Sequence, residues 1–312
     1  MPPWHFSLPR PFLLFFILLQ KHFPCKLIPS IIFYATLSFR INLLIHYQDF
    51  PAIIFSFQIA ILRRVFMEFR GSSVYDEAEF FTNYIKRRER PDSPNTAIEG
   101  PLMYELIGSF KGKRILDLGC GDASFGRDLL NGGAAFYAGV EGSRNMADRA
   151  FSNLDGVSGT LFNETMETYS FPPNQFDLVT SRFAIHYVAD INQLFQNVRA
   201  SLTEAGRFIF SVQHPLTTAS FISKQSGELR GNWVVDDYFL DGERKEPWIG
   251  QVVVKYHRTI EHYFHVLTQS GFTITDLREG SPKREHFSNE SEFRRRQRIP
   301  LVLAFSCVKS QM

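Results

Sequence analysis

Residues 115–126 read ILDLGCGDASFG, and this stretch decides the fold of the chain around it. The run RILDL (114–118) is typical of a buried parallel strand that carries one polar residue, Asp117, near its C-terminal end. Gly119 and Gly121 follow, and because neither has a Cβ atom, a ligand can lie directly against the main chain. The pattern predicts a strand and a turn that bind a ligand.

A helix is expected after this turn, with Asp122 or Ser124 as its cap and with free N–H groups that attract polar or anionic ligand groups. Strand and helix patterns then alternate along the chain. Strands are predicted at 134–141, 159–163, 176–181, 206–213, 272–277 and 299–308, and helices at 76–88, 99–109, 124–131, 143–154, 191–202 and 259–271. This alternation predicts an α/β fold in which helices cover both faces of a parallel sheet, with the ligand at the carboxyl ends of the strands.

The first 66 residues differ in composition from the rest. They contain 11 of the 32 phenylalanines without a steady helical or strand period, and their apolar runs are shorter than the roughly 18–20 residues that span a bilayer. The run at 12–19 has the length of a signal-peptide core, but KHFPCK follows it in place of small residues. We interpret 1–66 as an extension outside a functional domain at 67–312. The competing interpretation is a segment that associates with a membrane.

The charge of the chain is unevenly distributed. Residues 1–66 hold six of the 34 Lys and Arg but one of the 32 Asp and Glu, so 67–312 carries a net charge of −3. A mildly acidic domain argues against nucleic acid as its partner. The three cysteines have no paired spacing, so the sequence predicts neither a disulfide framework nor a zinc site, as in a reduced, cytoplasmic protein.

Three kinds of nucleotide site can follow a strand with a glycine-rich turn. The phosphate loop GxxxxGK[ST] is absent, and the dinucleotide pattern GxGxxG lacks its third glycine because Ser124 stands there. An acidic residue that binds ribose hydroxyls is expected about 20 residues further on, and Glu141 fits. These residues predict an adenosine cofactor and leave NAD and S-adenosylmethionine as alternatives.

The order of the later motifs distinguishes the two. The stretch LDLGCGDASFG resembles motif I of the class I S-adenosylmethionine-dependent methyltransferases, and later motifs of that family are matched by GVEGS (139–143), ETMETYSFP (164–172) and FDLVTSRFAIHYV (176–188). Beyond residue 210, SVQHPL, VVKYHRTIEHYF and RIPLVLAF resemble a bacterial subgroup with mostly unassigned substrates. The resemblance implies a Rossmann-like, mostly parallel seven-stranded sheet with an antiparallel C-terminal strand, and S-adenosyl-L-methionine as cofactor.

The resemblance also assigns cofactor contacts by position. It places the methionine moiety at Asp117, Gly119 and Gly121, with Cys120 between the glycines as a small space-filling residue rather than a nucleophile. Glu141 takes the two ribose hydroxyls, because a carboxylate can accept two hydrogen bonds. The remaining assigned contacts are Met146 at the adenine ring, Thr165, Met166 or Glu167 at the adenine amino group, and Ser181 at the transferring methyl group.

Methyl transfer from a sulfonium depends mainly on alignment of the two reactants, and a base is needed only if the acceptor loses a proton. His186 and His214 follow strands at the ligand edge and are the candidate bases. The run Arg294, Arg295, Arg296 and Arg298 is interpreted as a solvated face.

The acceptor is expected to be a small molecule. The (D/N)PP(Y/F) sequence of enzymes that methylate the exocyclic amines of DNA is absent, and the long, aromatic-rich segment at about 215–257 is predicted to form a lid. The alternatives are an NAD-dependent oxidoreductase and a non-catalytic protein that binds the cofactor or a membrane.

Overall fold

The computed structural model describes residues 68–224 and 231–310. In this part of the chain the strands are β1 (Glu68–Arg70), β2 (Arg114–Leu118), β3 (Phe136–Val140), β4 (Gly159–Phe162), β5 (Phe176–Arg182), β6 (Leu202–Gln213), β7 (Gly242–Trp248), β8 (Gln251–His257), β9 (Phe272–Glu279) and β10 (Val302–Lys309). The α-helices are α1 (Ala78–Arg88), α2 (Gly100–Ile107), α3 (Ser124–Asn131), α4 (Arg144–Asn153), α5 (Ile191–Ser201), α6 (Pro215–Thr218), α7 (Ile260–Gln269) and α8 (Glu290–Arg296).

The main sheet has seven strands in the order β4-β3-β2-β5-β6-β10-β9. The five strands from β4 to β6 pair in parallel, whereas β10 pairs antiparallel with both β6 and β9. This arrangement confirms the predicted fold. The strand order reverses direction between β2 and β5, and in open α/β sheets a crevice for ligands forms at such a point.

Both faces of the sheet are buried, which explains the continuous apolar runs of its strands. Ile115 packs into one hydrophobic core and the next residue, Leu116, packs into the other. Successive side chains of a strand point to opposite faces, so a parallel strand buried on both faces is apolar at most positions, and Asp117 is the buried exception in β2.

A second, three-stranded sheet has the order β1-β8-β7. Strands β7 and β8 form a hairpin whose turn residues Ile249 and Gly250 both have positive φ, 49° and 77°. Strand β1 pairs in parallel with β8, and Phe69 and Val253 from these two strands share a small core. The sequence patterns did not reveal this sheet. Two of its strands, β7 and β8, lie in the segment predicted to be a lid.

The cap of α3 follows the predicted alternatives only in part. Ala123 occupies the N-cap position with φ of 53°, and the Asp122 carboxylate accepts hydrogen bonds from the backbone N–H and the hydroxyl of Ser124.

The hydrophobic extension at 1–66 lies outside the described residues. Within those residues, no helix has the length and hydropathy needed to cross a bilayer.

Candidate active site

A cleft of about 1340 Å³ opens at the carboxyl ends of the parallel strands. The turn at Gly119 and Gly121 forms part of its wall, and residues of the three-stranded sheet, including Trp248, line it as well. The cleft therefore lies where the reversal of strand order places a ligand.

The two turn glycines have the backbone conformation that this wall requires. Their φ angles are 70° at Gly119 and 60° at Gly121, and side chains are strained in that region. A Cβ atom on Gly119 would also lie 2.4 Å from the Cβ atom of Ala184. The N–H groups of Gly119 and Cys120 both donate to the carbonyl of Val140, at 2.8 and 3.1 Å, which ties the turn to the end of β3. Glycine is thus required here by backbone geometry and by packing.

Glu141 connects this turn to the next one. Its Oε2 accepts a hydrogen bond from the Gly121 N–H at 2.9 Å, and its Oε1 accepts one from the Ser143 N–H at 2.8 Å. Burial raises the pKa of this carboxyl from 4.5 to about 7, and the two backbone hydrogen bonds oppose the rise. Each oxygen retains a second lone pair, so the carboxylate can also accept from two hydroxyls of a ligand.

Asp117 lines the cleft but also joins three adjacent strands. Its Oδ2 accepts from the Tyr137 hydroxyl at 2.8 Å and its Oδ1 accepts from the Thr180 hydroxyl at 2.9 Å. Burial raises its pKa, and these two hydrogen bonds act in the opposite direction. The Tyr137 ring fills the space where a Cβ atom of Gly126 would lie, at 2.2 Å, so the phenol depends on that glycine. Tyr137 was not indicated by any sequence pattern.

Most of the predicted cofactor contacts come together in this cleft. Cys120 and Met146 are buried in its wall, and Thr165, Met166 and Glu167 also line it. Ser181 does not line the cleft: its side chain is fully buried and its hydroxyl donates to the Leu118 carbonyl at 2.8 Å. This hydroxyl joins β5 to β2 inside the sheet, whereas the sequence prediction placed Ser181 at the methyl group.

His186 lines the cleft in a state that does not favour proton uptake. Its Nδ1 accepts a hydrogen bond from the backbone N–H of Gln213, with 3.4 Å between the two nitrogen atoms. The neutral ring therefore carries its proton on Nε2. Burial, together with the nearby charges of Lys255 and Arg258, lowers its pKa well below 6.5. The ring is therefore better suited to donate a hydrogen bond than to act as a general base.

His214, the second candidate base, does not line the cleft. Its side chain is buried, its Nδ1 accepts from the Leu216 N–H at 3.1 Å, and its Nε2 lies 2.8 Å from Glu279 Oε1. The ring thus caps α6 and donates to a carboxylate with its other nitrogen. Both ring nitrogens of His214 are therefore engaged in holding the structure, which favours a structural role over the predicted role as a base.

The segment before α1 forms a wall of the cleft that the sequence did not reveal. Asp76 Oδ1 accepts from the Ser143 hydroxyl at 2.8 Å and from the Asn145 N–H at 3.1 Å. Arg88, at the end of α1, also lines the cleft, and one of its guanidinium nitrogens would lie 3.0 Å from a Cβ atom on Gly121. These residues are distant in sequence from the motif they contact, and no local pattern marks them.

Two arginines of the predicted solvated face, Arg295 and Arg296, also line the cleft, and their side chains are 19% and 10% exposed. For these two residues the interpretation as a solvated face is wrong. Arg294, with a side chain that is 76% exposed, fits it. The described residues contain no group of three His, Cys, Asp or Glu side chains arranged to hold a metal ion.

Comparison with known proteins identifies the family. Residues 115–206 match a family model described as a methyltransferase domain. An uncharacterized protein of Haemophilus influenzae is 33% identical over 217 residues, which are 66% of this chain and 85% of that protein.

Solved structures show the same relationship. The S-adenosylmethionine dependent methyltransferase of Mesorhizobium loti is 32% identical, with a TM-score of 0.62 over 67% of this chain and 96% of its own. A Listeria monocytogenes protein with 28% identity has the same TM-score, 0.62, over 68% of this chain and 97% of its own. The turn with bare backbone at Gly119 and Gly121, the free lone pairs of Glu141 and the apolar wall at Met146 fit the methionine, ribose and adenine parts of the cofactor. The chain therefore belongs to the class I S-adenosylmethionine-dependent methyltransferases, and S-adenosylmethionine is its cofactor.

Proposed function

We propose that this methyltransferase acts on a small organic acceptor that binds in the cleft beside the cofactor. One observation carries the proposal. The cleft that contains Gly119 and Gly121 is continuous with a region lined by aromatic side chains, among them Tyr187, Phe221 and Trp248. A concave, partly apolar space with a few polar groups is typical of a site for a small molecule.

In this proposal the cofactor lies against the β2–α3 turn. The main chain at Gly119 and Gly121, with Asp117 behind it, holds the methionine moiety, and the Glu141 carboxylate accepts from the ribose hydroxyls. The adenine ring packs on Met146, with Thr165, Met166 or Glu167 at its amino group. Cys120 fills space between the glycines, because burial raises the pKa of its thiol well above 9.0 and keeps it protonated.

We add Arg88 to these proposed cofactor contacts. Its guanidinium lies beside Gly121 and is 3.3 Å from Asp122 Oδ1, with the side chain 20% exposed. A partly buried guanidinium next to the turn is suited to the carboxylate of the methionine moiety, because a charged hydrogen bond in a shielded place is strong.

The chain promotes the reaction mainly by alignment. When bound, S-adenosylmethionine supplies a methyl group on a positively charged sulfur that a nucleophile can displace. Holding the acceptor atom in line with that bond removes most of the entropic barrier. The Nε2–H of His186 orients the acceptor by donating a hydrogen bond. Acceptors that are nucleophilic without losing a proton first are favoured, since the low pKa of this ring opposes proton uptake.

The test uses protein incubated with S-adenosylmethionine that carries a labelled methyl group. A cell extract is divided into small-molecule, protein and nucleic-acid fractions, each of which is offered separately. We expect label in the small-molecule fraction alone. Label in the protein or nucleic-acid fraction would contradict the proposed acceptor class. Calorimetry with S-adenosylhomocysteine and with NAD gives a separate readout of the cofactor site, and binding of NAD alone would contradict the cofactor contacts.

A further inference from the structure

Two arginines in the wall of the cleft share a single carboxylate. Arg295 Nη2 and Arg296 Nε each lie 2.7 Å from Oε1 of Glu292, and the three side chains are 19%, 10% and 14% exposed. All three residues belong to α8 and line the same cleft as the cofactor turn. Two positive charges and one negative charge leave a shielded excess of one positive charge.

The surroundings of Arg296 increase this excess. Burial, followed by the nearby charge of Arg295, lowers its pKa to about 10, and Arg90 contributes in the same direction. At neutral pH the guanidinium is still protonated. Arg90 also lines the cleft, and its own nearest carboxylate oxygen, in Asp92, is 3.6 Å away. Arg90, with a side chain that is 55% exposed, thus adds a third positive charge to this part of the cleft wall.

Arg296 has one charged partner among the described residues. Its Nε lies 2.7 Å from Oε1 of Glu292, an oxygen that it shares with Arg295. Arg182, another arginine in the cleft wall, provides a contrast, because it makes three hydrogen bonds to the Glu99 carboxylate and its charge is balanced one to one. The charge of Arg296 is not balanced in this way, because the Glu292 carboxylate also pairs with Arg295, so this part of the cleft wall can take a further anionic partner.

We propose that Arg295 and Arg296 bind an anionic group, a carboxylate or a phosphate, of the methyl acceptor. This inference rests on the proposed function, since it assigns the class of the small acceptor. The planar guanidinium fork matches both groups geometrically. Aromatic residues of the same cleft, among them Phe183 and Trp233, provide an apolar surface for the body of such a molecule. The acceptor is thus a small amphipathic anion.

The experiment measures binding to the protein saturated with S-adenosylhomocysteine. The probes are benzoate, phenyl phosphate and the uncharged benzamide, which share an aromatic ring and differ in charge. We expect at least one anion to bind about tenfold more tightly than benzamide, which corresponds to one charged hydrogen bond. The comparison of benzoate with phenyl phosphate distinguishes the two anionic groups. Equal affinity for all three probes, or no saturable binding of either anion at millimolar concentration, would overturn the proposal.

Variants test the residues themselves. Arg296→Gln should reduce anion affinity to the level of benzamide, whereas the matched control Arg294→Gln should leave it unchanged, because Arg294 is exposed and pairs with Glu290 outside the cleft. An Arg296→Gln protein that retains the full preference for anions would refute the assignment. Binding of S-adenosylhomocysteine to each variant verifies that it is folded.

A third variant has the opposite expected sign. Glu292→Gln removes the shared carboxylate, so affinity for the bound anion should rise several-fold, which a purely structural role of Glu292 does not predict. A decrease would count against the proposal even if Arg296→Gln fails to fold. Failure of this inference is distinguishable from failure of the proposed function, because labelled methyl groups could still enter a small molecule that has no charge preference.

Discussion

The two ends of the cleft are built in different ways. The proposed cofactor end comes mainly from residues 117–146, a continuous stretch that contains Gly119 and Gly121, both of positive φ, and the carboxylate of Glu141. The proposed acceptor end combines residues that are far apart in the chain, among them Phe183, Tyr187, Trp248, Arg295 and Arg296. The first end is marked by a recognisable motif, whereas the second has none.

The difference shows which kinds of site leave a signature in sequence. At the cofactor end, backbone conformation and hydrogen bonding within one strand–turn–helix unit restrict the residue type at each position. At the acceptor end, the important residues meet only through packing of separate elements. Arg295 and Arg296 lie in an arginine-rich stretch that resembles any solvated helix face, and no local property indicates that two of its members are buried.

The largest effect is expected from removing the segment before α1. This change tests whether the cofactor end of the cleft depends on elements outside its own motif. A chain that begins at Ala78 lacks Asp76, which holds Ser143 and Asn145, and lacks the fully buried Val74 and strand β1. We expect loss of measurable binding of S-adenosylhomocysteine by calorimetry. Retention of normal affinity would show that the cofactor end is independent of the elements around it.

The control for this truncation is a chain that begins at Met67. It retains every described residue and removes the extension that the sequence analysis assigned outside the functional domain. We expect a folded protein with the cofactor affinity of the full chain. If the shorter chain were unfolded or failed to bind, the domain boundary at Met67 would have to be abandoned.

Within the cofactor end, Glu141→Ala should have the next largest effect. The change removes the acceptor of two backbone hydrogen bonds and of the ribose hydroxyls, so cofactor binding should weaken by about 2 kcal/mol or more. Calorimetry measures this loss, and the melting temperature should fall as well because the N–H groups of Gly121 and Ser143 lose their partner. Asp148→Ala serves as the control, because it also removes one negative charge but at an exposed position of α4. Equal affinity of the two variants would place the ribose elsewhere.

The same carboxyl predicts a pH dependence. Its folded-state pKa, about 7, lies above the ordinary value of 4.5, so the folded protein binds this proton more tightly than the unfolded chain. The contribution of Glu141 to stability is therefore full below pH 4.5 and is lost as the pH rises through about 7.

Cofactor affinity should change in the opposite direction, because the ionised carboxylate is the stronger acceptor for ribose hydroxyls. We expect the affinity for S-adenosylhomocysteine to rise through about pH 7 in the wild type. Glu141→Gln, which does not titrate, should lack this rise. A pH profile that is identical in the two proteins would show that another group controls binding.

The smallest expected effect concerns His214. Because its ring caps α6 and contacts Glu279, His214→Ala should lower the free energy of unfolding by about 1–2 kcal/mol and leave cofactor affinity unchanged. Chemical denaturation measures the first quantity and calorimetry the second. His265→Ala, at a position with a 58% exposed side chain, is the matched control. A His214→Ala protein of wild-type stability would contradict the capping role.

Periodicity and motif position were sufficient to predict the main sheet and the position of most candidate cofactor residues at one cleft. The strands RILDL and FDLVTS were predicted because burial on both faces favours apolar residues. The β7–β8 hairpin was not predicted, because its strands contain Glu, Arg and Lys and its turn is formed by Ile249 and Gly250. The internal hydrogen bonds of Ser181 and His214 could not be predicted, since a polar residue at a strand end can face either the ligand or the interior.

The sequence by itself determined the α/β class, the family and the β2–α3 turn, because each of these depends on short-range rules that act on neighbouring residues. The tertiary structure alone decided which polar groups face the cleft. It directed His214 and Ser181 into internal hydrogen bonds and brought Arg88, Arg295 and Arg296 to the cleft wall. The physical reason is that burial and the partner of a charged or polar side chain are set by elements distant in the chain, whose packing no local pattern records.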